Sequence, residues 1–149
     1  MTPELPIRTL TELARKRTEE AARKLALLRT ANMGAGQKLE LLLRYRTDYG
    51  KRLQALLTAG LPLAQYRNYL DFLQALDEGI AQQRAAAAQA EARLDHGRAE
   101  WQRQHQRGNA FETLGERMQR QELVLRSRRE QRASDEQAAR MLLGRSAPA

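Results

Sequence analysis

Few residues in this 149-residue chain have the types and spacing that chemistry demands. It holds no cysteine, so thiolate catalysis, disulfides and the usual structural zinc sites are excluded. Its two histidines, His96 and His105, lie nine residues apart. On a helix that spacing separates them by about 13 Å and two and a half turns, so they cannot share a metal. The carboxylate pairs Glu19-Glu20 and Asp77-Glu78 suit a general acid and base only where two environments split their proton affinities. A solvated helix face offers no such contrast. The segment Gly34-Ala35-Gly36-Gln37-Lys38 resembles a phosphate loop only superficially, because it lacks the spacing and the Ser or Thr after the lysine. No Ser or Thr has a base beside it in a cleft. No catalytic residue, metal-ligand set or cofactor site is expected, and the chain reads as a non-enzyme.

The cations are the more serious chemistry. Lys and Arg number 26 against 18 Asp and Glu, a formal charge of +8. Residues 1–60 carry 12 bases and 6 acids, whereas residues 61–149 carry 14 and 12. A positive field favours acidic proteins, nucleic acid or an anionic membrane without choosing among them. The clusters Arg15-Lys16-Arg17 and Arg126–Arg132 could each hold phosphates. Glutamates interleave both, however, and no helix-turn-helix, zinc finger or zipper-linked basic region is present. No direct nucleic-acid partner is expected. A membrane-surface helix would need a broad apolar face, and the apolar stripe here is narrow.

The elements that carry these residues follow from composition and period. Alanine, leucine, arginine, glutamine and glutamate dominate, and only seven residues are aromatic. Such a chain favours helix and lacks the bulk for a thick core. A seam with steps near three and four runs through Leu10, Leu13, Ala21, Leu25, Leu28, Leu39, Leu42, Tyr45, Tyr49, Leu53 and Leu56. Arg17 stands where a leucine is expected, and Met33-Gly34-Ala35-Gly36 predicts a soft or bent spot, or close helix contact through small side chains. A second seam uses Tyr66, Tyr69 or Leu70, Leu73, Leu76, Ile80, Ala87, Ala90, Leu94, Trp101, Phe111, Leu114, Met118, Leu123 and Leu125. Between them, Gly60 and Pro62 form the one interior place where glycine and proline meet. The expected fold is all-α, a long two-helix antiparallel coiled-coil hairpin. Its parts are an extended lead-in over 1–6, a first helix over 7–57, a turn over 58–63, a second helix over 64–128 and a frayed or disordered basic tail over 129–149. Reflection through residue 60 opposes 33 with about 87 and Ile7 with about Glu112, so pairing should end there. Nothing near Met1 resembles a secretory signal, and no run approaches the ~18 apolar residues of a membrane span. A cytoplasmic protein is expected.

The central forty residues carry a resemblance as well as a period. Leu39-Glu40-Leu41-Leu42-Leu43-Arg44-Tyr45-Arg46-Thr47-Asp48-Tyr49, then Gly60, then Tyr66 through Gln83, resemble the FliJ family, the small coiled-coil proteins of the flagellar type III export apparatus. Tyr45 and Tyr49 fit the tyrosine pair of its pattern, and Phe72, Leu73, Leu76, Ile80 and Gln83 fit the segment that follows. The resemblance implies a stalk-like hairpin, similar to the axle of rotary ATPases. It implies partners too: the flagellar export ATPase, the export-gate membrane protein and export substrate chaperones. It places the protein in the cytoplasm, peripheral at the inner face of the cell membrane through those partners. Phe72 and Leu76 match positions associated with gate contact, although both could be seam residues. Leu13, Arg15, Lys16 and Met118 combine apolar anchors with cationic rims and are the choice for ATPase docking. A structural coiled-coil linker or a nucleic-acid-binding coiled coil are the alternative readings.

Overall fold

The computed structural model describes residues Glu4–Ser146, which form two helices: α1 over Glu4–Ala59 and α2 over Leu63–Ser146. Gly60, Leu61 and Pro62 join them. Gly60 is the one described residue with positive φ, at 92°, and its N–H donates to the Leu57 carbonyl at 3.4 Å. That backbone state suits a glycine just past a helix end. Pro62 then opens α2, its carbonyl accepting from the Tyr66 N–H at 3.0 Å.

α1 begins earlier than the prolines suggest. Pro6 lies in its first turn, where a backbone N–H has no helical partner to lose, so Glu4–Pro6 are helical; residues 1–3 lie outside the described residues. α2 likewise continues through the basic segment from 129 to Ser146. Arginine, alanine, glutamine and glutamate are strong helix formers, and their propensity carries the helix past the last residue that faces α1.

The contacts divide the chain into two units, one of residues 19–103 and one of 1–18 with 104–149. In the first unit the residues turned inward on α1 are Ala21, Leu25, Leu28, Asn32, Ala35, Leu39, Leu42, Arg46, Tyr49, Leu53 and Leu56. Their steps alternate four and three without a break. On α2 the same alternation runs from Tyr66 and Tyr69 through Leu73, Leu76, Ile80, Gln83, Ala87, Ala90, Leu94 and Gly97 to Trp101. This 3.5-residue repeat is that of a left-handed coiled coil. Tyr69 takes the place left open between it and Leu70, which is exposed. Tyr45 is exposed as well, and Arg46 occupies the seam instead.

Specific contacts fix the register. Arg46 Nε meets Asp77 Oδ1 at 2.8 Å, and the Tyr49 and Phe72 rings lie 4.5 Å apart. Gln83 Nε2 donates to the Ala35 carbonyl at 3.0 Å. The thinly packed part of α1 around Asn32 and Ala35 thus faces the alanine-rich stretch of α2 from Gln83 to Ala90. Gly34 and Gly36 do not serve close packing, because a Cβ on either would meet nothing within 4 Å, and α1 runs through them as continuous helix. The close approach is at Gly97, where a Cβ would fall 2.5 Å from Leu28 Cδ1.

In the second unit the inward residues are Ile7, Thr11, Ala14 and Thr18 against Gln104, Gly108, Phe111, Gly115 and Met118. Leu10 and Leu13 are therefore off the seam, and so is Arg17. Threonines replace the expected leucines because Thr11 and Thr18 donate their hydroxyls to the Ile7 and Ala14 carbonyls, at 2.8 and 2.9 Å. Each part-buried hydroxyl is satisfied within its own helix. A Cβ on Gly115 would lie 3.4 Å from Ile7 Cγ2, so pairing extends several residues beyond Glu112. From 121 to 145 every α2 residue is exposed; Leu114, Leu123 and Leu125 do not join the seam.

These backbones generate opposed expectations for glycine. Gly34→Ala and Gly36→Ala should each stabilise the protein by about 0.5–1 kcal/mol, since alanine is the better helix former and both sites have room. Gly60→Ala should destabilise it, because alanine is strained at positive φ. Urea unfolding followed by far-UV circular dichroism distinguishes the signs.

Candidate functional site

Two surfaces gather the residues that the sequence singles out. The first lies in the unit of residues 19–103. Phe72 projects from α2 beside the seam and remains 42% exposed, its ring tilted by 46° against Tyr49. The Arg52 guanidinium carbon stands 5.5 Å from the Tyr49 ring centroid, extending the cluster with a cation over an aromatic face. Leu76, one turn on from Phe72, steps into the seam and is half-buried. Its neighbour Leu73 is 6% exposed. Phe72 is thus the displayed member of the pair, and Leu76 belongs to the seam.

The second surface lies in the unit of residues 1–18 with 104–149, and it has two unlike edges. One edge carries the ion pair Arg15 Nη2–Glu112 Oε1 at 3.3 Å. Arg15, Glu112 and Met118 line a shallow cleft there with Ile7, Glu12 and Glu116. Both partners of the ion pair are more than half exposed, so the bond is worth at most about 1 kcal/mol and opens readily. Leu13 lies on the other side of α1, 44% exposed, together with Leu10. Lys16 is exposed on the outward face of α1. The four residues expected to act together are therefore split: Arg15 and Met118 share a cleft, whereas Leu13 and Lys16 do not line it.

Among the described residues no group of three or more His, Asp or Glu side chains is placed to hold a metal ion, and no helix is long and apolar enough to cross a membrane. The basic cluster Arg126–Arg132 is exposed helix.

The comparisons with known proteins bear on this arrangement. The family model described as "Flagellar FliJ protein" matches residues 3–147. The chain belongs to the FliJ family. It is 33% identical over 132 residues to the flagellar FliJ protein of Escherichia coli (strain K12), covering 89% of this chain and 90% of that one. It is 31% identical over 134 residues to the flagellar FliJ protein of Salmonella typhi, covering 90% and 91%. A solved structure of a candidate YscO homolog from Chlamydia trachomatis shares the fold at a TM-score of 0.50 and 15% identity, with 98% of each chain covered. As a FliJ-family member the protein is a non-enzymatic component of the flagellar export apparatus.

Sequence reasoning missed three residues at which the two helices of the unit 19–103 meet. Gln83 was legible only as part of a family pattern, yet its amide crosses to the Ala35 carbonyl. Arg46 and Gly97 would have emerged from counting strict three-four steps back from Leu53 and on from Leu94. The burial difference between neighbours supplies a test. Leu73→Ala should cost about 2–5 kcal/mol in urea unfolding, the range for truncating a buried leucine. Phe72→Ala should cost less than about 2 kcal/mol, mostly the lost ring contact with Tyr49.

Proposed function

We propose that the protein couples the flagellar export ATPase to the export-gate membrane protein and to export substrate chaperones. The observation that carries this reading is the exposed Phe72 ring, held in place on Tyr49 instead of being withdrawn into the seam. A displayed aromatic on a firmly registered pair of helices is a surface suited to burial by a partner. The gate protein would cover Phe72 and the exposed part of Leu76, with Tyr49 holding the ring. The ATPase would meet the unit of residues 1–18 and 104–149, through Leu13, Arg15, Lys16 and Met118. Its contribution to hydrolysis is stimulation of the partner, and the protein itself hydrolyses no ATP. Association with the inner face of the cell membrane is peripheral and runs through these partners, from a cytoplasmic pool.

The experiment is co-purification with the export ATPase and with the gate protein, set against an unrelated coiled coil of equal charge. Phe72→Ala should weaken gate association several-fold while ATPase stimulation persists. Leu13→Ser should sharply reduce stimulation at unchanged helix content. Arg15 and Lys16 both changed to Gln should slow association and flatten its salt dependence, because these bases steer encounter more than they hold the complex. Stimulation and gate binding indifferent to all of these variants, alongside RNA or DNA binding whose salt slope falls in the Arg15/Lys16 variant, would replace the export reading with a nucleic-acid one.

A further inference from the structure

The two edges of the unit formed by residues 1–18 and 104–149 differ in chemistry as well as position. On the cleft edge, Arg8 and Arg15 stand among the three acids Glu12, Glu112 and Glu116, and Arg15 pairs with Glu112. The opposite edge is built from the positions that flank the seam on its other side: Leu10, Leu13 and Arg17 on α1, and Arg107, Leu114 and Arg117 on α2. The contacts of Ile7 with Gly115 and of Ala14 with Gly108 bracket Leu10 at the level of residues 108–115. Leu10 and Leu114 therefore stand across from each other, with Phe111 half-buried between them. Leu10, Leu13 and Leu114 are 41%, 44% and 44% exposed. Arg17, Arg107 and Arg117 are all exposed, and among the described residues none enters an ion pair within the chain. No acid occupies this edge within residues 6–18 or 104–118.

We infer that this leucine-and-arginine edge is the docking face for an acidic amphipathic helix of a protein partner, which lays its apolar stripe on Leu10, Leu13 and Leu114 and its carboxylates against Arg17, Arg107 and Arg117. The charge pattern selects the occupant. Three unopposed guanidinium groups repel a second copy of this +8 chain, and they attract carboxylates in bidentate geometry. Exposed leucines in their midst contribute nothing to a phosphate backbone but match the stripe of a helix lying along a groove. The inference rests on and deepens the reading that this unit meets the export ATPase: the leucine edge carries the apolar contact, beside the bases Arg15 and Lys16 that steer the encounter.

The test uses the full chain and a synthetic helical peptide with leucines spaced three and four apart and glutamates on either side of the stripe. A scrambled peptide of equal composition and charge is the control. The amphipathic peptide should bind, and raising the salt concentration should weaken it without abolishing it. Leu10→Gln with Leu114→Gln, or Arg17→Glu with Arg107→Glu, should lower its affinity about tenfold or more. Arg8→Gln with Gln119→Ala, on the cleft edge, should leave it unchanged. Circular dichroism verifies that each variant stays helical. Equal binding of the scrambled peptide, or losses confined to the Arg8/Gln119 variant, overturns the proposal. So does self-association in sedimentation that the leucine variants abolish, or tight binding of DNA or anionic vesicles that ignores them. ATPase stimulation measured on the same variants separates the two readings. Edge-specific peptide binding without any ATPase effect leaves this docking face standing and removes the ATPase as its occupant.

Discussion

Everything in this protein hangs on a seam that, within each of the two units, steps by four and three residues without a break. Two helices alone bury only their two facing rows, so the apolar area available is small and part of it comes from alanine. Burial of that kind fixes that the helices pair, but hardly fixes where. A shift by one heptad would still set small or apolar residues against one another along most of the seam. Polar contacts supply the missing specificity. The Gln83 amide reaching the Ala35 carbonyl and the Arg46 guanidinium on Asp77 are satisfied in one register and broken in its neighbours. Their role parallels that of the single polar seam residue that sets register in coiled coils at some expense of stability.

The same two-row cross-section decides what the surface can do. In a globular domain a leucine one position off the core contact is still partly covered by a further element. Here nothing covers it. Leu10, Leu13, Leu114 and Phe72 are displayed because their seam neighbours, Thr11, Ala14, Gly115 and Leu73, have taken the places that face inward. Displayed apolar residues and the seam are thus two consequences of one counting rule. A change of one residue in phase would exchange the displayed residues for the core.

Much of this was legible in the sequence, and the failures have physical causes. The seam from Leu25 to Leu42 and from Leu73 to Trp101 could be counted from leucine, isoleucine and tryptophan, and the glycine–proline pair marked where the chain turns. The first turns of α1 misled because leucine was counted and threonine was not. Thr11 and Thr18 become acceptable inside only through hydroxyl bonds to carbonyls one turn back, which composition cannot reveal. The glycines at 34 and 36 suggested close contact, whereas the close contact falls at Gly97, which the surrounding arginine and histidine disguise. The helical state of residues 129–146 was hidden by reading charge as disorder, although arginine and alanine are good helix formers with or without a partner. Of the candidate site, Phe72 was legible through a family pattern. The separation of Arg15 and Met118 from Leu13 was not, because which edge a residue occupies depends on the phase of the seam beneath it.

Phase also bears on how such a protein could influence a partner's catalysis without chemistry of its own. A bound protein shifts a partner's conformational equilibrium only by its difference in affinity for the two states. That difference is large where binding surfaces hold their geometry and small where they yield. The Phe72–Tyr49–Arg52 cluster sits a few residues from the Arg46–Asp77 bond and within three helical turns of Gln83, the two contacts that lock the register. Its position relative to the seam is therefore well determined. The Arg15–Glu112 bond is longer, 3.3 Å against 2.8 Å, and its arginine is 66% exposed against 37% for Arg46, so it exchanges an internal partner for an external one at less cost. A firmly held aromatic suits discrimination between two shapes of a partner, whereas an open ion pair suits capture of a partner in either shape. The division follows from where the polar locks fall along the seam.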